Sequence, residues 1–260
     1  MKIKRNKLFY FSVSALSVAV VLFAWQIGTY KGWINTLFLP APKTVWRTFL
    51  SLLRDGYKGK SLALHILLSM KRLFIALGAA AFAAIPLGLL AGRSRLARAI
   101  IDPFVEFYRP LPPLAYYTLI ILWVGIRDGS KILLLFLGAF APLLIGVIFS
   151  AEKIPEQRIN GARSLGASRT QLFIHVIFPS CLPDIITSFR TAAGVSYATL
   201  VAAEMVAAVS GIGWMVLDAS KYLRNDIVYA GIFVMGIIAI LMDAGLRVLV
   251  KKISPWMGKI

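Results

Sequence analysis

The stretch NGARSLGASRTQLFIHVIFPSCLP, residues 160–183, lies between two long apolar runs. It is too polar to cross a membrane and too rich in apolar residues to be a solvated linker. Ile159, Ala162 and Leu165 recur at helical spacing, and Gly166 follows where such a helix would end. The pattern therefore predicts a short helix with an apolar stripe that ends at Gly166.

A second helix is predicted immediately after this glycine. Ser168, followed three residues later by Gln171, is a capping-box pattern, in which each side chain binds the backbone N–H of the other residue. We expect this helix to end at Pro179, because proline lacks the N–H that a helix interior needs. The region 156–178 is thus predicted to be a helix, a glycine turn and a helix. The pattern is equally compatible with an ordinary amphipathic re-entrant loop.

The composition indicates an integral membrane protein. Of the 260 residues, 59% are hydrophobic and 15% are charged, which is more apolar surface than a soluble core of this length buries. The net charge of +18 comes from basic residues beside apolar runs, which favours membrane topology over nucleic-acid binding. The single cysteine, Cys181, excludes an intrachain disulfide and a cysteine-based metal cluster.

Six apolar runs approach the length of about 20 residues that crosses a membrane. The predicted spans are 8–28, 68–91, 112–127, 131–150, 185–209 and 229–250. The first run follows a basic flank, as a signal peptide does, but no small-residue cleavage site is present, so we predict a retained helix. Segment 43–56 has the pattern of an amphipathic helix, and we expect it to lie on the outer membrane surface.

The basic residues predict the orientation. Seventeen of the 29 lysines and arginines fall in the segments 2–7, 93–109, 153–190 and 247–259, on the side of the N-terminus. Because loops rich in Lys and Arg stay in the cytoplasm, we predict that both termini are cytoplasmic. Residues 151–184 then form a cytoplasmic loop.

The sequence GARSLGAS resembles the cytoplasmic coupling loop of bacterial ABC-importer permeases. The family pattern is Glu-Ala-Ala, three residues, Gly, nine residues, Ile, one residue and Leu-Pro. Gly166, Val176, Phe178 and Pro179 occupy the last four of these positions. The stretches FYRPLPPLAYYTLIILWVGI (107–126), SKILLLFLGAFAP (130–142), TLVAAEMVAAVSGIGWMV (199–216) and ISPWMG (253–258) look like the sulfonate, taurine and nitrate branch of these permeases.

The resemblance implies a type I ABC-importer permease fold with a cytoplasmic coupling helix. Residues 1–62 would hold the first span and the external amphipathic segment, and residues 63–260 a permease core of five spans. Asn160 and Gly161 replace the Glu and the first Ala of the family pattern, so coupling would depend more on shape than on charge. The ATPase-coupling residues implied are Gly161, Ala162, Ser164, Leu165, Gly166, Ala167, Ser168 and Arg169.

The resemblance also implies an assembly and a function. The permease would act as a homodimer in the lipid of the bacterial inner membrane, with two cytoplasmic ATPase subunits and a periplasmic binding protein. It would import taurine or related alkanesulfonates by alternating access, driven through 156–178. Nitrate, bicarbonate or a vitamin precursor is the alternative cargo. A secondary transporter or channel is the alternative class, although no internal repeat is visible.

No catalytic motif stands out. A phosphate-binding loop needs a glycine five residues before Gly-Lys-Ser/Thr, but Arg54 stands at that position before GKS (59–61). GVSYA (194–198) resembles a nucleophile elbow, yet it lies in an apolar run. His65 and His175 are predicted to be polar boundary residues. We therefore expect no enzyme activity, metal or cofactor in this chain, with ATP and Mg bound by the partner ATPase.

Polar residues inside the spans are candidates for the transport path. Glu204 interrupts an apolar run, where a charge costs roughly 2.5–3.5 kcal/mol. The hypothesis is that Glu204 faces the path of the dimer, and the alternative is a hydrogen-bonded packing residue. By resemblance the loop 210–216 is an outer gate, with an interfacial anchor as the alternative. The residues assigned to the path or gate are Tyr197, Leu200, Glu204, Ile212, Trp214 and Met215.

Two further spacings predict packing contacts. Gly88 and Gly92 form a GxxxG pattern, which allows two helices to approach closely. Asp243 and Arg247 are four residues apart, which places them on one helix face as an ion pair.

Overall fold

The structure, a computed structural model, describes residues 2–253 and, within that range, the side chains of 9–250 and 252. Residues 254–258 of the stretch ISPWMG therefore lie outside the described residues. The described chain is helical and contains no strand, only one isolated bridge between Tyr57 and Lys60. The helices are α1 (Lys2–Tyr30), α2 (Pro42–Arg54), α3 (Leu62–Ala91), α4 (Arg95–Tyr108), α5 (Pro113–Val124), α6 (Asp128–Glu152), α7 (Glu156–Ser164), α8 (Arg169–Leu172), a π-helical turn (Phe173–Ile177), α9 (Phe178–Ala207), α10 (Ile212–Lys221) and α11 (Asn225–Ile253). The predicted all-α class is confirmed.

In the described part of the chain, five helical stretches are long and apolar enough to cross a membrane, and they match five of the six predicted spans. They are Phe9–Tyr30, Leu62–Ala91, Asp128–Glu152, Arg169–Ala207 and Asn225–Val250. The remaining run forms α5, whose 12 residues rise only about 18 Å, against a hydrocarbon core of about 30 Å. This helix is shorter than predicted because it begins at Pro113 and ends where Gly125 adopts a φ of +86°.

The residue contacts divide the chain into two compact units. One unit comprises the chain up to His65 together with Met215–Met235, and the other comprises Ile66–Trp214 and the chain from Gly236 onward. The predicted division of the chain between residues 62 and 63 stays a prediction. The sequence does not anticipate that 215–235 cluster with the N-terminal segment.

In the first unit, α2 has one buried and one exposed side. Val45 and Leu52 are buried, whereas Trp46 is exposed, so the segment forms the amphipathic helix that its pattern predicts. Thr48 of α2 donates a hydrogen bond to the carboxylate of Asp226 at the start of α11 (2.9 Å). α2 is therefore tied to α11 by a polar contact.

In the second unit, α3, α6 and α9 share an apolar core. The core side chains are mainly alanine, leucine and isoleucine, which pack closely between the helices. Fully buried members are Leu73, Ala76 and Ala80 of α3, Leu143, Leu144 and Val147 of α6, and Ala192 and Ala193 of α9.

Two glycines bring α3 into close contact with α6. A Cβ atom on Gly88 would lie 2.7 Å from the Cβ of Val147. A Cβ atom on Gly92 would lie 2.6 Å from the Cβ of Ala151 and 2.7 Å from the carbonyl oxygen of Ile148. No larger residue fits without moving α6, so the packing predicted from the GxxxG pattern is confirmed.

The predicted end of the second helix at Pro179 is wrong. α8 continues through the π-helical turn into α9, so helical structure extends from Arg169 to Ala207. In this turn the N–H of Phe178 bonds to the carbonyl of Phe173, five residues earlier. Pro179 then stands in the first turn of α9, directly after the π-helical turn, and the helix continues past it.

Candidate functional site

The predicted helix, glycine turn and helix are present at residues 156–172, which we call the elbow. α7 ends in a Schellman motif: the N–H of Ala167 binds the carbonyl of Ala162 (3.1 Å), and the N–H of Gly166 binds that of Arg163 (2.9 Å). Gly166 has a φ of +81°, which is the left-handed conformation that this motif requires. The direction of the chain after α7 is therefore fixed by backbone geometry.

The start of α8 is fixed by the predicted capping box. The Ser168 hydroxyl accepts the N–H of Gln171 (3.3 Å), and the Gln171 side chain accepts the N–H of Ser168 (2.9 Å). Both halves of the box are present, so this prediction is confirmed. In the elbow, α7 thus ends and α8 begins at defined positions, with only four residues, 165–168, between the two helices.

The elbow is anchored at two points and exposed between them. Ile159 and Leu172 are buried, whereas Leu165 is 90% exposed. Among the predicted coupling residues, Ala162 and Ala167 are half-buried, and the others are exposed: Gly161, Ser164, Leu165, Gly166, Ser168 and Arg169. A large apolar side chain held in solvent by a defined turn is typical of a surface that another protein covers.

We expect Ser168→Ala to destabilise the start of α8 by about 1 kcal/mol, because the first N–H groups of the helix lose their acceptor. Deuterium exchange of the amides at 169–172 should become roughly fivefold faster. Ser164→Ala is the matched control, since this exposed hydroxyl makes no hydrogen bond to a described residue. Equal exchange in the two variants would mean that the capping box does not stabilise the elbow.

A second constellation, which we call the charge cluster, is buried between α3, the end of α9 and the start of α10. Glu204 is 1% exposed and Arg72 is 4% exposed. Glu204 Oε1 accepts hydrogen bonds from Arg72 Nη1 (2.6 Å) and Ser69 Oγ (2.7 Å), and Oε2 accepts the N–H of Gly213 (2.9 Å). The carboxylate therefore has a counter-charge and two further donors.

Arg72 connects the cluster to two other segments. Its Nε donates to Asp128 Oδ1 at the start of α6 (2.9 Å), and its Nη1 also donates to the carbonyl of Ser210 (2.9 Å). Gly211 has a φ of +121°, and a Cβ atom there would lie 2.3 Å from the carboxyl carbon of Glu204. Only glycine fits at this position beside the charge cluster.

The sequence pointed to Glu204 but not to its partner. Arg72 lies inside the predicted span 68–91, directly after Lys71, and no role was predicted for it. A buried carboxylate needs a cation close to it, and this requirement is the signal that could have indicated Arg72 as the partner of Glu204. The observed contacts of Glu204 are those of a hydrogen-bonded packing residue, and its place in a transport path stays a prediction.

The other predicted path and gate residues are not exposed. Leu200, Ile212 and Met215 are buried, and Tyr197 and Trp214 are half-buried. Their assignment to a path or gate stays a prediction.

A cavity of about 620 Å³ lies beside the charge cluster, at the adjoining ends of α3, α6 and α9. Three basic side chains line it, those of Arg72, Arg127 and Lys131. Asp128 is the acidic residue in the lining. The cavity therefore combines apolar helix ends with an excess of basic groups.

Other polar residues singled out in the sequence have local roles. The predicted pair of Arg247 and Asp243 is confirmed (2.5 Å), and Arg190 of α9 joins it (2.6 Å). His65 is buried with Nε2 3.3 Å from the Tyr57 carbonyl oxygen, whereas His175 is exposed. Within residues 2–253 no group of His, Cys, Asp and Glu side chains could hold a metal ion.

Comparison with known proteins agrees with this architecture. A family model described as "Binding-protein-dependent transport system inner membrane component" matches residues 84–255. The chain is 42% identical over 250 residues to the taurine transport system permease protein of Escherichia coli, a match that covers 96% of this chain and 91% of that protein. It is 33% identical to a putative aliphatic sulfonates transport permease protein of E. coli (93% and 90% covered) and 32% identical to the nitrate import permease protein of Synechocystis (93% and 88% covered).

A solved structure matches the fold. It is that of the MetNI methionine ABC transporter in inward-facing conformations, with a TM-score of 0.65 and 18% identity over 74% of this chain and 95% of that one. At this identity the match shows the fold alone.

The chain is a multi-pass helical protein of the inner membrane, and its exposed elbow lies between two of its long helices. The chain belongs to the family of binding-protein-dependent transport system inner membrane components. Its class is that of the ABC-importer permeases, which are transport proteins and not enzymes, and which imply an ATPase and a substrate-binding protein as partners.

Proposed function

We propose that this chain is the permease subunit of an ATP-driven importer for taurine or a related alkanesulfonate. The observation that carries the substrate class is the 42% identity, over nearly the whole chain, to a taurine transport permease. The relatives named for aliphatic sulfonates and nitrate are more distant, at 33% and 32% identity. A sulfonate is therefore the first candidate and nitrate the second.

In the proposed assembly, two copies of the chain enclose the transport path. Two ATPase subunits bind from the cytoplasm, where they hold ATP and Mg²⁺, and a binding protein delivers the substrate from the periplasm. The distribution of Lys and Arg supports cytoplasmic termini and a cytoplasmic elbow. The elbow then lies on the side of the membrane where the ATPase binds.

The elbow has the properties that coupling requires. Its turn is held by the Schellman motif and the capping box, and Leu165 offers an apolar contact for a groove on the ATPase. Closure of the ATPase pair on ATP would draw the two elbows together and tilt the helices attached to them. Alternating access needs such an element with two positions.

We expect Gly166→Ala to reduce substrate-stimulated ATPase activity roughly fivefold or more, because an alanine at a φ of +81° costs about 1–3 kcal/mol of backbone strain. The assay uses the permease reconstituted with its ATPase and its binding protein, with taurine as the stimulating substrate. Gly166→Asn is the matched variant, since asparagine tolerates this conformation better than alanine although it is larger.

The order of the two variants distinguishes the possible causes. Activity that falls from glycine to asparagine to alanine supports a role of the turn geometry. Lower activity for asparagine than for alanine would instead mean that side-chain size blocks the contact.

The same assay tests the substrate and the class of transporter. Stimulation by nitrate alone would retain the importer and exclude the sulfonate. Transport in the absence of any ATPase would favour a secondary transporter or channel.

A further inference from the structure

The cavity beside the charge cluster contains a buried cation that has no carboxylate of the described chain within ion-pair distance. Lys131 is 2% exposed, and its Nζ donates to two backbone carbonyls, those of Ile126 (2.9 Å) and Arg127 (3.3 Å). Lys131 forms no ion pair within the described chain, because Asp128 and Glu204 both pair with Arg72. Buried lysines are rare unless they are paired, so this one indicates a site for an anion.

Lys131 also has hydrogen-bonding capacity in reserve. An ammonium group carries three N–H donors, and the two carbonyls use two of them. The side chain lines the cavity, so the third donor is available to a molecule bound there.

The neighbouring charges strengthen the preference for an anion. Arg127 lines the same cavity, is exposed and forms no ion pair with a described residue. The two acids nearby are already engaged by Arg72, which contacts Asp128 at 2.9 Å and Glu204 at 2.6 Å. Three cations thus face two carboxylates, and the two cations without an acidic partner are those of Lys131 and Arg127.

The remaining lining suits a small organic ion. Leu68, Val206 and Val209 supply apolar surface, which a short hydrocarbon chain can contact. The volume of about 620 Å³ lies within the range of about 300–1,000 Å³ that is usual for small-molecule sites.

We propose that this cavity is an anion site of the permease, in which Lys131 and Arg127 bind the sulfonate group of the transported substrate. The ligand class rests on the proposed function. A sulfonate carries a permanent negative charge on three oxygens, and these accept charge-assisted hydrogen bonds from an ammonium and a guanidinium together. The apolar lining contacts the carbon chain of the same molecule.

The site is tested by chemical labelling in the cavity. Ala208 lines the cavity, and Ala208→Cys places a thiol there. Cys181 is fully buried, so the unchanged chain serves as the blank. In lipid nanodiscs the thiol is treated with 2-sulfonatoethyl methanethiosulfonate and, separately, with its trimethylammonium analogue. The labelling rate of each reagent is divided by the rate at which the same reagent labels a free thiol in solution. We expect the sulfonate reagent to react at least about tenfold faster.

Two variants assign this preference to residues. Arg127→Gln and Lys131→Gln should each lower the preference for the sulfonate reagent severalfold. Arg109→Gln is the matched control, because Arg109 is exposed and lies outside this cavity. If Lys131→Gln does not fold, the labelling preference of Arg127→Gln still tests the proposal. An unchanged preference in Arg127→Gln, or an equal loss in Arg109→Gln, would overturn the proposal.

Competition identifies the source of the anion. Taurine should slow the labelling, whereas 2-aminoethanol, which lacks the sulfonate, should not. An anionic lipid headgroup offers similar oxygens, so the assay is repeated in nanodiscs with and without phosphatidylglycerol. Protection by phosphatidylglycerol without protection by taurine would assign the site to lipid and overturn the substrate proposal.

The labelling assay needs neither the ATPase nor the binding protein. Loss of taurine-stimulated ATPase activity with labelling and protection intact would therefore count against the proposed importer and not against the site. If taurine still stimulates the ATPase but the two labelling reagents react equally fast, the result would count against the anion site alone.

Discussion

Arg72→Met is expected to lower the free energy of unfolding by about 3–5 kcal/mol, because it leaves the buried carboxylate of Glu204 without a counter-charge. The remaining donors, Ser69 Oγ and the N–H of Gly213, are neutral and do not replace the guanidinium. The measurement is reversible unfolding of the purified permease in mixed micelles, compared with the unchanged chain.

Two further variants separate this effect from a general response to the loss of arginine. Arg98 pairs with Asp102 and Glu152 at partly exposed positions, so Arg98→Met should cost at most about 1 kcal/mol. The double variant Arg72→Met with Glu204→Met should recover part of the loss, because no charge is left buried without a partner. If Arg72→Met costs no more than Arg98→Met, the charge cluster does not stabilise the fold.

Gly92→Ala is expected to destabilise the protein by about 1–3 kcal/mol, since the added methyl group enters the contact between α3 and α6. Its Cβ would lie 2.6 Å from the Cβ of Ala151 and 2.7 Å from the carbonyl oxygen of Ile148. That oxygen belongs to the backbone of α6, so a change of rotamer does not relieve the clash. The same unfolding measurement applies.

The control for this variant lies in α3, the helix that ends at Ala91, one residue before Gly92. A Cβ atom on Gly78 of α3 would meet nothing within 4 Å. Gly78→Ala should therefore leave stability unchanged or raise it slightly, because alanine favours the helix more than glycine does. Equal destabilisation by the two variants would exclude the close helix contact as the cause.

The features that could be predicted from the sequence are those decided over a few neighbouring residues. The turn at Gly166 and the capping box of Ser168 and Gln171 each depend on contacts within five residues, and both are present. The ion pair of Asp243 and Arg247 lies within one helical turn for the same reason.

The features that the sequence did not reveal depend on distant residues or on small changes in helix geometry. Arg72 and Glu204 are 132 positions apart, and periodicity carries no information on which helices bring them together. Pro179 is a helix-ending signal by itself, but here it directly follows a single wide turn, and the helix continues past it. The brevity of α5 reflects the φ of Gly125, which hydrophobicity does not predict.

The unbroken helical path from Arg169 to Ala207 has a mechanical consequence. Its 39 residues extend over roughly 55–60 Å, with the elbow at one end and Glu204 in the last turn at the other. In a rod of this kind, axial rotation or sliding at one end appears at the other unless a joint absorbs it. The π-helical turn and the interior proline Pro183 interrupt the regular hydrogen bonding along this path, so they are the places where the two ends would gain independent freedom.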